Sequence, residues 1–379
     1  MHKDLFSHSD PFAALNNRAE LGEKLQALRK AVIQRHPFIE RIAVALYDDA
    51  TDEVATFLYS SDTESPLTHY QARLADAPSL AEIRRRMRPR VVNDLDLFDA
   101  SEHRHARVLS EHGYRASYTT PMMCEGVFFG FVFFNSTHSD IFDERLLAEL
   151  DMLAHLISLM VFSERSSIGV LAATVKSALD MTHERDPETG SHLQRMAHYA
   201  QLIARRLARR YDFDDQFIEH VFMFSPLHDL GKISIPDRIL FKPGTLSGEE
   251  YEIMKTHAKR GREIIDSLLS NYGLDSVGYV QVLRNIAQYH HEAVDGSGYP
   301  EGLRASQIPI EARIVAVADI FDALTSRRPY KEAWSNDQAF EALRKLAGEK
   351  LDRDCVEALV EQREEIERIQ LTYQENEFG

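Results

Sequence analysis

Histidines and carboxylates collect in a few short stretches of this chain. "HHEAVDGSGYP" (290–300) sets His290 and His291 beside two acidic residues, and "SPLHDLGKISIPDRIL" holds the adjacent pair His228 and Asp229 with Lys232 close behind. His257 sits within "EIMKTHAKRGREII", and Asp319 within the mostly apolar "ARIVAVADIFDAL". A carboxylate in apolar surroundings is costly unless a cation or a hydrogen-bond donor meets it. In "RDPETGSHLQR", Asp186 is placed to cap a helix and Pro187 to occupy its first turn. Glu188 and His192, four residues apart, then share one helix face. Taken singly, each of these residues is equally well explained as ordinary core or surface. Together, Glu188, His192, His228, Asp229, His257, His290, His291 and Asp319 form a nitrogen-and-oxygen donor set. Such a set suits Fe or Mn, leaves Mg and Zn open, and excludes thiolate metals. One tetrahedral site uses four ligands, so eight candidates allow two or three divalent ions, with a carboxylate such as Asp229 bridging.

These residues fall in the second half of the chain, which reads as almost wholly helical: 187–210, 214–231, 247–269, 276–293, 308–326, 336–347 and 352–369, with Gly- and Pro-rich turns between some of them. The first half reads differently. "RIAVALYDD" (41–49) and "EVATFLYSS" (53–61) are strand-like, "SLAEIRRRM" (79–87) is a short helix, and "PRVVNDL" is a strand. Residues 114–136 form a hairpin turning at Glu125–Gly126. Between the halves, Leu146, Leu150, Leu153, Ile157 and Met160, then Ile168, Leu171, Val175 and Ala178, mark a long apolar seam. Gly169 weakens this helix and is a place for it to divide. The fold class expected is two-domain, α+β and all-α. The divisions are an extension (1–20), an α/β module ending in a long helix (21–163), a helical linker (164–185), a helical module (186–370) and a tail (371–379).

Hydrophobic residues at 44% and charged residues at 27% belong to a globular chain. A formal net charge of −16 argues against a protein that coats DNA or an anionic membrane. No run of 18 apolar residues and no apolar leader are visible, so a cytoplasmic location without membrane spans is expected. Cys124 and Cys355 are the two cysteines, and two suit a reducing compartment. Cys124 is expected to be a buried structural thiol, and His103, His105 and His112 to be surface residues.

The motifs "HDLGKISIPD", "THAKRG", "HHEAVDGSGYP", "IPIEARIVAVADIFDALTS" and "RRPYK", in this order over roughly 170–365, resemble the HD-GYP family of HD-superfamily metal phosphohydrolases. The resemblance implies an enzyme that hydrolyses cyclic di-GMP, or a related cyclic dinucleotide such as cyclic GMP-AMP, to pGpG and on to GMP. It places His192, His228, Asp229, His257, His290, His291 and Asp319 at metal-ligand positions. Glu188 matches the extra carboxylate of trinuclear members. Lys232 would contact the scissile phosphate, and Arg328 and Lys331 the ligand phosphates. Bound ions would activate the attacking water, with Asp229 and Lys232 at the centre of the catalysis. Asp295, Gly296, Gly298, Tyr299 and Pro300 form the family's named loop, read as a pocket wall and a surface for signalling partners. The front module resembles a GAF domain, which implies small-ligand sensing. A homodimer through the linker helix is expected to carry its signal. The alternative to an enzyme is a nucleotide-binding scaffold with little catalysis.

Overall fold

The structure is a computed structural model that describes residues 9–17, 19–63, 66–95, 104–182, 190–272, 278–326 and 332–374. It divides into two compact units, Met1–Ser166 with Ser276–Gly278, and Ser167–Asp275 with Tyr279–Gly379.

The first unit is a six-stranded antiparallel sheet with helices on both faces. Helix α1 (Leu21–Arg35) leads into β1 (Arg41–Asp48), β2 (Glu53–Ser61) and β3 (Gln71–Arg73). Then come α2 (Pro78–Arg86), β4 (Arg90–Val92), α3 (Arg104–Glu111), β5 (Ala116–Cys124), β6 (Val127–Ser136) and α4 (Glu144–Thr182). The strand order is β3-β2-β1-β6-β5-β4. Successive side chains of a strand point to opposite faces. Thus Ile42, Val44 and Leu46 of β1, with Val132 and Phe134 of β6, join Leu21, Leu25 and Leu28 of α1 in one core. Ala45, Tyr47 and Phe131 pack on the other face with Leu80 and Ile83 of α2. The short strand β3 and the helices α1 and α3 were not anticipated from the sequence. Their polar residues blur any strict period.

Helix α4 corrects two expectations. It runs unbroken through Gly169 to Thr182, because one glycine costs a helix only about 1 kcal/mol. Its seam also serves a different purpose. Leu146, Leu150, Ala154, Ile157 and Val161 are buried in the core against the sheet, and Leu153 and Met160 pack on its edge. Each fully buried Leu, Ile or Val here stabilises the unit by about 1.5–3 kcal/mol, so the seam in this half of α4 completes the sheet's core and is not free to pair with a second copy. The division between the units falls at Ser166/Ser167, inside α4 and close to the expected start of the helical linker at 164. Segment Glu144–Val170 is long and apolar enough to cross a membrane by length and composition; part of its apolar surface is spent on the sheet, while Met152, Leu159 and Val170 are exposed. The side chains of Leu171, Val175 and Ala178 lie outside the described residues. Cys124 is half-buried at the hairpin's end, not buried. His112 is exposed, while His103 and the His105 side chain lie outside the described residues.

The second unit is helical: α5 (Gly190–Tyr211), α6 (Asp215–Phe224), α7 (Asp237–Leu240), α8 (Gly248–Tyr272), α9 (Val280–Tyr289), α10 (Ile310–Thr325), α11 (Asn336–Leu346), α12 (Arg353–Val360) and α13 (Arg363–Thr372). Two expected helices are shorter or divided. The run 214–231 stops at Phe224, because Pro226 lacks an N–H and its ring collides with the preceding turn. Two 3-10 turns, Ser225–Leu227 and Leu230–Ser234, follow. The run 352–369 is the pair α12 and α13, separated at Glu361–Gln362.

One half-buried carboxylate in the first unit, Glu164, gives a pH test. Burial, reinforced by Glu20 and opposed by Lys24, pushes Glu164 up to about 7. A carboxyl raised on folding favours the native state fully below its unfolded value, and that contribution disappears as pH rises through about 7. Glu164→Gln is therefore expected to unfold at higher temperature than the parent at pH 8, by about 1–3 kcal/mol, and to match it near pH 4.5. Thermal melts at the two pH values check this; equal shifts at both would contradict it.

Candidate metal centre

Four helices and a turn converge in the second unit. His192 stands in the first turn of α5, and the 3-10 turns after α6 deliver His228 and Asp229. His257 lies in mid-α8, His290 and His291 leave the end of α9, and Asp319 is on α10. Donor atoms of Asp229, His257, His290 and His291 all lie within 4.8 Å of one another, as do those of His192, His228 and Asp319. The two groups adjoin where His228 Nε2 approaches Asp229 Oδ2 at 3.2 Å. The other Asp229 oxygen, Oδ1, lies 3.2 Å from His257 Nε2 and 3.6 Å from His290 Nε2. Lys232 Nζ meets Asp229 Oδ2 at 2.8 Å.

The ring orientations carry chemical information. The Nδ1 atoms of His228, His257 and His290 face the backbone oxygens of Ser225, Met254 and Ile286 at 2.9, 2.7 and 2.9 Å. A carbonyl only accepts, so each Nδ1 carries the proton and each Nε2 presents a lone pair to the centre. His192 Nδ1 instead meets Asp322 Oδ2 at 2.7 Å. The Nε2 atoms of His192, His257 and His290 and Asp229 Oδ1 are buried without a hydrogen-bond partner in the protein. Acceptors turned on one another in this way are unfavourable unless a cation lies among them. Burial, then the neighbouring His290, holds His291 well below the usual histidine range, and burial lowers His290 as well. Burial would raise Asp229, but the Lys232 ammonium beside it outweighs this and holds the carboxyl well below its usual range. Neutral imidazoles and an ionised carboxylate are the forms that bind a divalent ion, and the donor set fits such ions.

Backbone contact sets this geometry. A Cβ at Gly231 would lie 1.8 Å from His257 O and 2.5 Å from Gly261 N. Only glycine lets the turn that follows Asp229 press against α8 beside His257.

The loop after His291 folds back on the centre. Tyr299 N donates to His291 O at 3.1 Å, and the two rings lie 4.7 Å apart. The Tyr299–Pro300 bond is cis. A Cβ at Gly298 would fall 2.2 Å from Ala293 N and 2.5 Å from His291 O. Gly296 has φ of 81°. Asp295 accepts from Ser297 N at 2.9 Å and from Lys350 Nζ at 2.8 Å. Glu292 was missed by sequence reasoning. Its buried carboxylate accepts from the backbone N–H groups of Glu301, Gly302 and Leu303 at 2.7, 3.1 and 2.9 Å. The signal was present in the sequence, as a carboxylate directly after two histidines.

The structure thus brings together seven of the eight expected donors, with Lys232 and Tyr299 beside them. Glu188, Arg328 and Lys331 lie outside the described residues.

Residues 176–355 match the HD domain family model, and residues 20–161 match the GAF domain model. Among curated relatives, the cyclic di-GMP phosphodiesterase response regulator RpfG of Xanthomonas campestris is 40% identical over 60% of this chain and 53% of its own length. A cyclic di-GMP phosphodiesterase of Thermotoga maritima is 42% identical over 51% of this chain and 50% of its own. The 3'3'-cGAMP-specific phosphodiesterase 2 of Vibrio cholerae is 42% identical over 47% of this chain and 32% of its own. The chain spans about half the length, or less, of these relatives.

The glycine contact yields a stability test. Gly231→Ala forces the turn and α8 apart, at a cost of about 1–3 kcal/mol or more. It is expected to lower the denaturation midpoint and the retained metal together. Urea unfolding beside metal analysis checks this, and an unchanged variant would show that the close approach is dispensable.

Proposed function

We propose that this chain, which belongs to the HD-GYP group of HD-domain metal phosphohydrolases and carries a GAF domain ahead of its hydrolase unit, cleaves a phosphodiester bond of cyclic di-GMP. The observation that carries the reading is the pair of donor groups that adjoin where His228 Nε2 lies 3.2 Å from Asp229 Oδ2, with Lys232 2.8 Å from the same carboxylate. In this reading His192, His228, Asp229, His257, His290, His291 and Asp319 would hold the metal ions, with Asp229 placed between the two donor groups. Bound divalent ions, Fe or Mn by donor type, would supply an activated water and positive charge at the phosphoryl oxygens. Water adds to phosphorus, the P–O bond to the ribose 3'-oxygen breaks, and that oxygen leaves with a proton. Cyclic di-GMP becomes pGpG, and a second cut of the same kind gives GMP. Lys232, close to the shared carboxylate, is placed to offset charge that builds on the phosphate. Tyr299 and the Glu292-held loop wall the His291 side and offer a surface to signalling partners. Glu188 as a ligand to a third ion, and Arg328 and Lys331 as phosphate contacts, belong to the same proposal on the strength of their motif positions.

One observation favours a second substrate. A relative named for 3'3'-cGAMP matches this chain at 42% identity, equal to the identity with the Thermotoga maritima protein. Cyclic GMP-AMP is therefore the rival diester.

Pairing of two copies is also part of the proposal, along a face of α4 other than the seam. Met152, Leu159 and Val170 are 67%, 57% and 56% exposed. Met152 and Leu159 are seven residues apart, the spacing that keeps side chains in register along paired helices. The GAF domain would then act on the hydrolase unit through α4.

Two experiments test these readings. Protein purified without oxygen and assayed by chromatography against both cyclic dinucleotides is expected to hold more than one metal ion per chain and to release pGpG or GMP. Asp229→Ala should lower turnover by at least about a hundredfold and reduce metal content. Full turnover in a metal-replete Asp229→Ala variant would remove Asp229 from the mechanism. For pairing, Met152→Glu with Leu159→Glu should shift light-scattering mass toward the monomer at an unchanged melting temperature. Polar changes at Leu153 and Ile157 should lower the melting temperature instead. A parent protein that is monomeric at all micromolar concentrations would rule out the pair.

A further inference from the structure

The ligand histidines are not all supported alike. His228, His257 and His290 donate Nδ1–H to backbone oxygens of the turns that carry them. His192 is turned by a side chain from another helix, Asp322 of α10, at 2.7 Å. Asp322 has no exposed surface, and four donors meet it. His192 Nδ1 and Ser326 Oγ reach Oδ2 at 2.7 and 2.8 Å. Arg195 Nε reaches Oδ1 at 2.7 Å and Arg195 Nη2 reaches Oδ2 at 3.0 Å. Arg195 lies one turn after His192 on α5 and also donates to Tyr373 O at 2.9 Å. Arg195 and Ser326 approach Asp322 as donors on both oxygens, so the carboxylate acts as acceptor all round and takes the proton of His192 Nδ1 as well. His192 Nε2 then faces Asp319 at 4.0 Å as a lone pair.

We propose that Asp322 is a positioning residue for the metal centre, holding His192 in the tautomer and orientation that lets it ligate, with Arg195 clamping the carboxylate. This rests on the metal-hydrolase reading above, in which His192 is a ligand. A carboxylate behind a metal-bound imidazole fixes the ring and strengthens its donor nitrogen. The two-oxygen grip explains why an acid is needed here and an amide would fail. An asparagine at 322 offers one acceptor. With its oxygen toward His192, its NH2 opposes the donor Arg195 Nε. Reversed, its NH2 points at Nδ1 and drives the ring's proton to Nε2, the atom that must stay bare.

The test is manganese binding by Asp322→Asn in the full chain, followed through the EPR signal of the free ion, so no substrate is involved. The group formed by His192, His228 and Asp319 should bind Mn(II) about 10–100-fold more weakly, while the group formed by Asp229, His257, His290 and His291 keeps its affinity. A role in folding alone would leave the folded fraction with parental affinity in both groups, or weaken the two together, beside a lower melting temperature of the metal-free protein. Either result overturns the proposal. Should Asp322→Asn fail to fold, Arg195→Lys keeps a cation beside Asp322 but loses the fork. It should weaken the same group selectively by at least about threefold, and parental affinity in this folded variant would overturn the proposal. Failure of the functional reading looks different: a parent protein that binds manganese yet cleaves neither cyclic dinucleotide refutes the substrate and leaves the Asp322 result standing. A parent that binds neither Mn(II) nor, without oxygen, Fe(II) refutes both.

Discussion

The helical unit depends on a set of acceptors that face one another. Backbone oxygens take the Nδ1 protons of His228, His257 and His290. Their Nε2 atoms therefore turn inward on the carboxylate of Asp229, with 3.2 Å from His257 Nε2 to its Oδ1. Lone pair against lone pair in a dry interior is an arrangement a protein gives up readily, by rotating a ring or admitting a proton. Here neither remedy is easy. The rings are held by main-chain bonds, and burial resists protonation of His290 and His291. A divalent cation would resolve the conflict, and its binding energy would then become folding energy for the helices that carry these donors.

Holding such a centre takes close backbone approach more than side-chain packing. Gly231 lets the turn after Asp229 lie directly on α8, and Gly298 lets the loop after His291 return against the chain that made it. Glu292 completes that return by collecting three successive backbone N–H groups. A carboxylate used in this way satisfies donors that a tight turn leaves without partners. The acid adjacent to the histidines thus shapes the wall of the site, while the acid beside His228 forms its centre. Two carboxylates next to histidines have different work because one points into the donor cluster and the other away from it.

Much of this was legible in the sequence, for physical reasons that differ by residue. Asp319 drew attention because a carboxylate in an apolar helix needs a counter-charge, and it does lie with His192 and His228. The hairpin of β5 and β6 was readable from two apolar runs around Glu125–Gly126. The division of 214–231 was readable too, since Pro226 forbids a continuous helix, but the apolar run on both sides concealed it. Asp322 and Arg195 were not distinguished by type or spacing. Their importance comes from contacts across more than 120 positions, which no local pattern encodes. Gly231 was visible only as part of a motif, because the partner it touches, His257 O, is a main-chain atom of another helix.

The α4 seam shows why periodicity alone does not name a partner. Steps of three and four identify an apolar face, but the same face suits a sheet, a second helix or a lipid surface. The distinction lies in how much of the circumference is apolar. In α4, Leu146, Leu150, Ile157 and Val161 are consumed by the sheet, yet Met152, Leu159 and Val170 remain exposed on other sides. A helix with one apolar face needs one neighbour. A helix that is apolar beyond the face it has already buried carries surface that its own unit does not cover, and exposed Met and Leu at seven-residue spacing give that surface the period of a helix pair. The length of α4, 39 residues, extends it past the point where the units divide. Under the proposed pairing, a change along this helix would involve residues of both units.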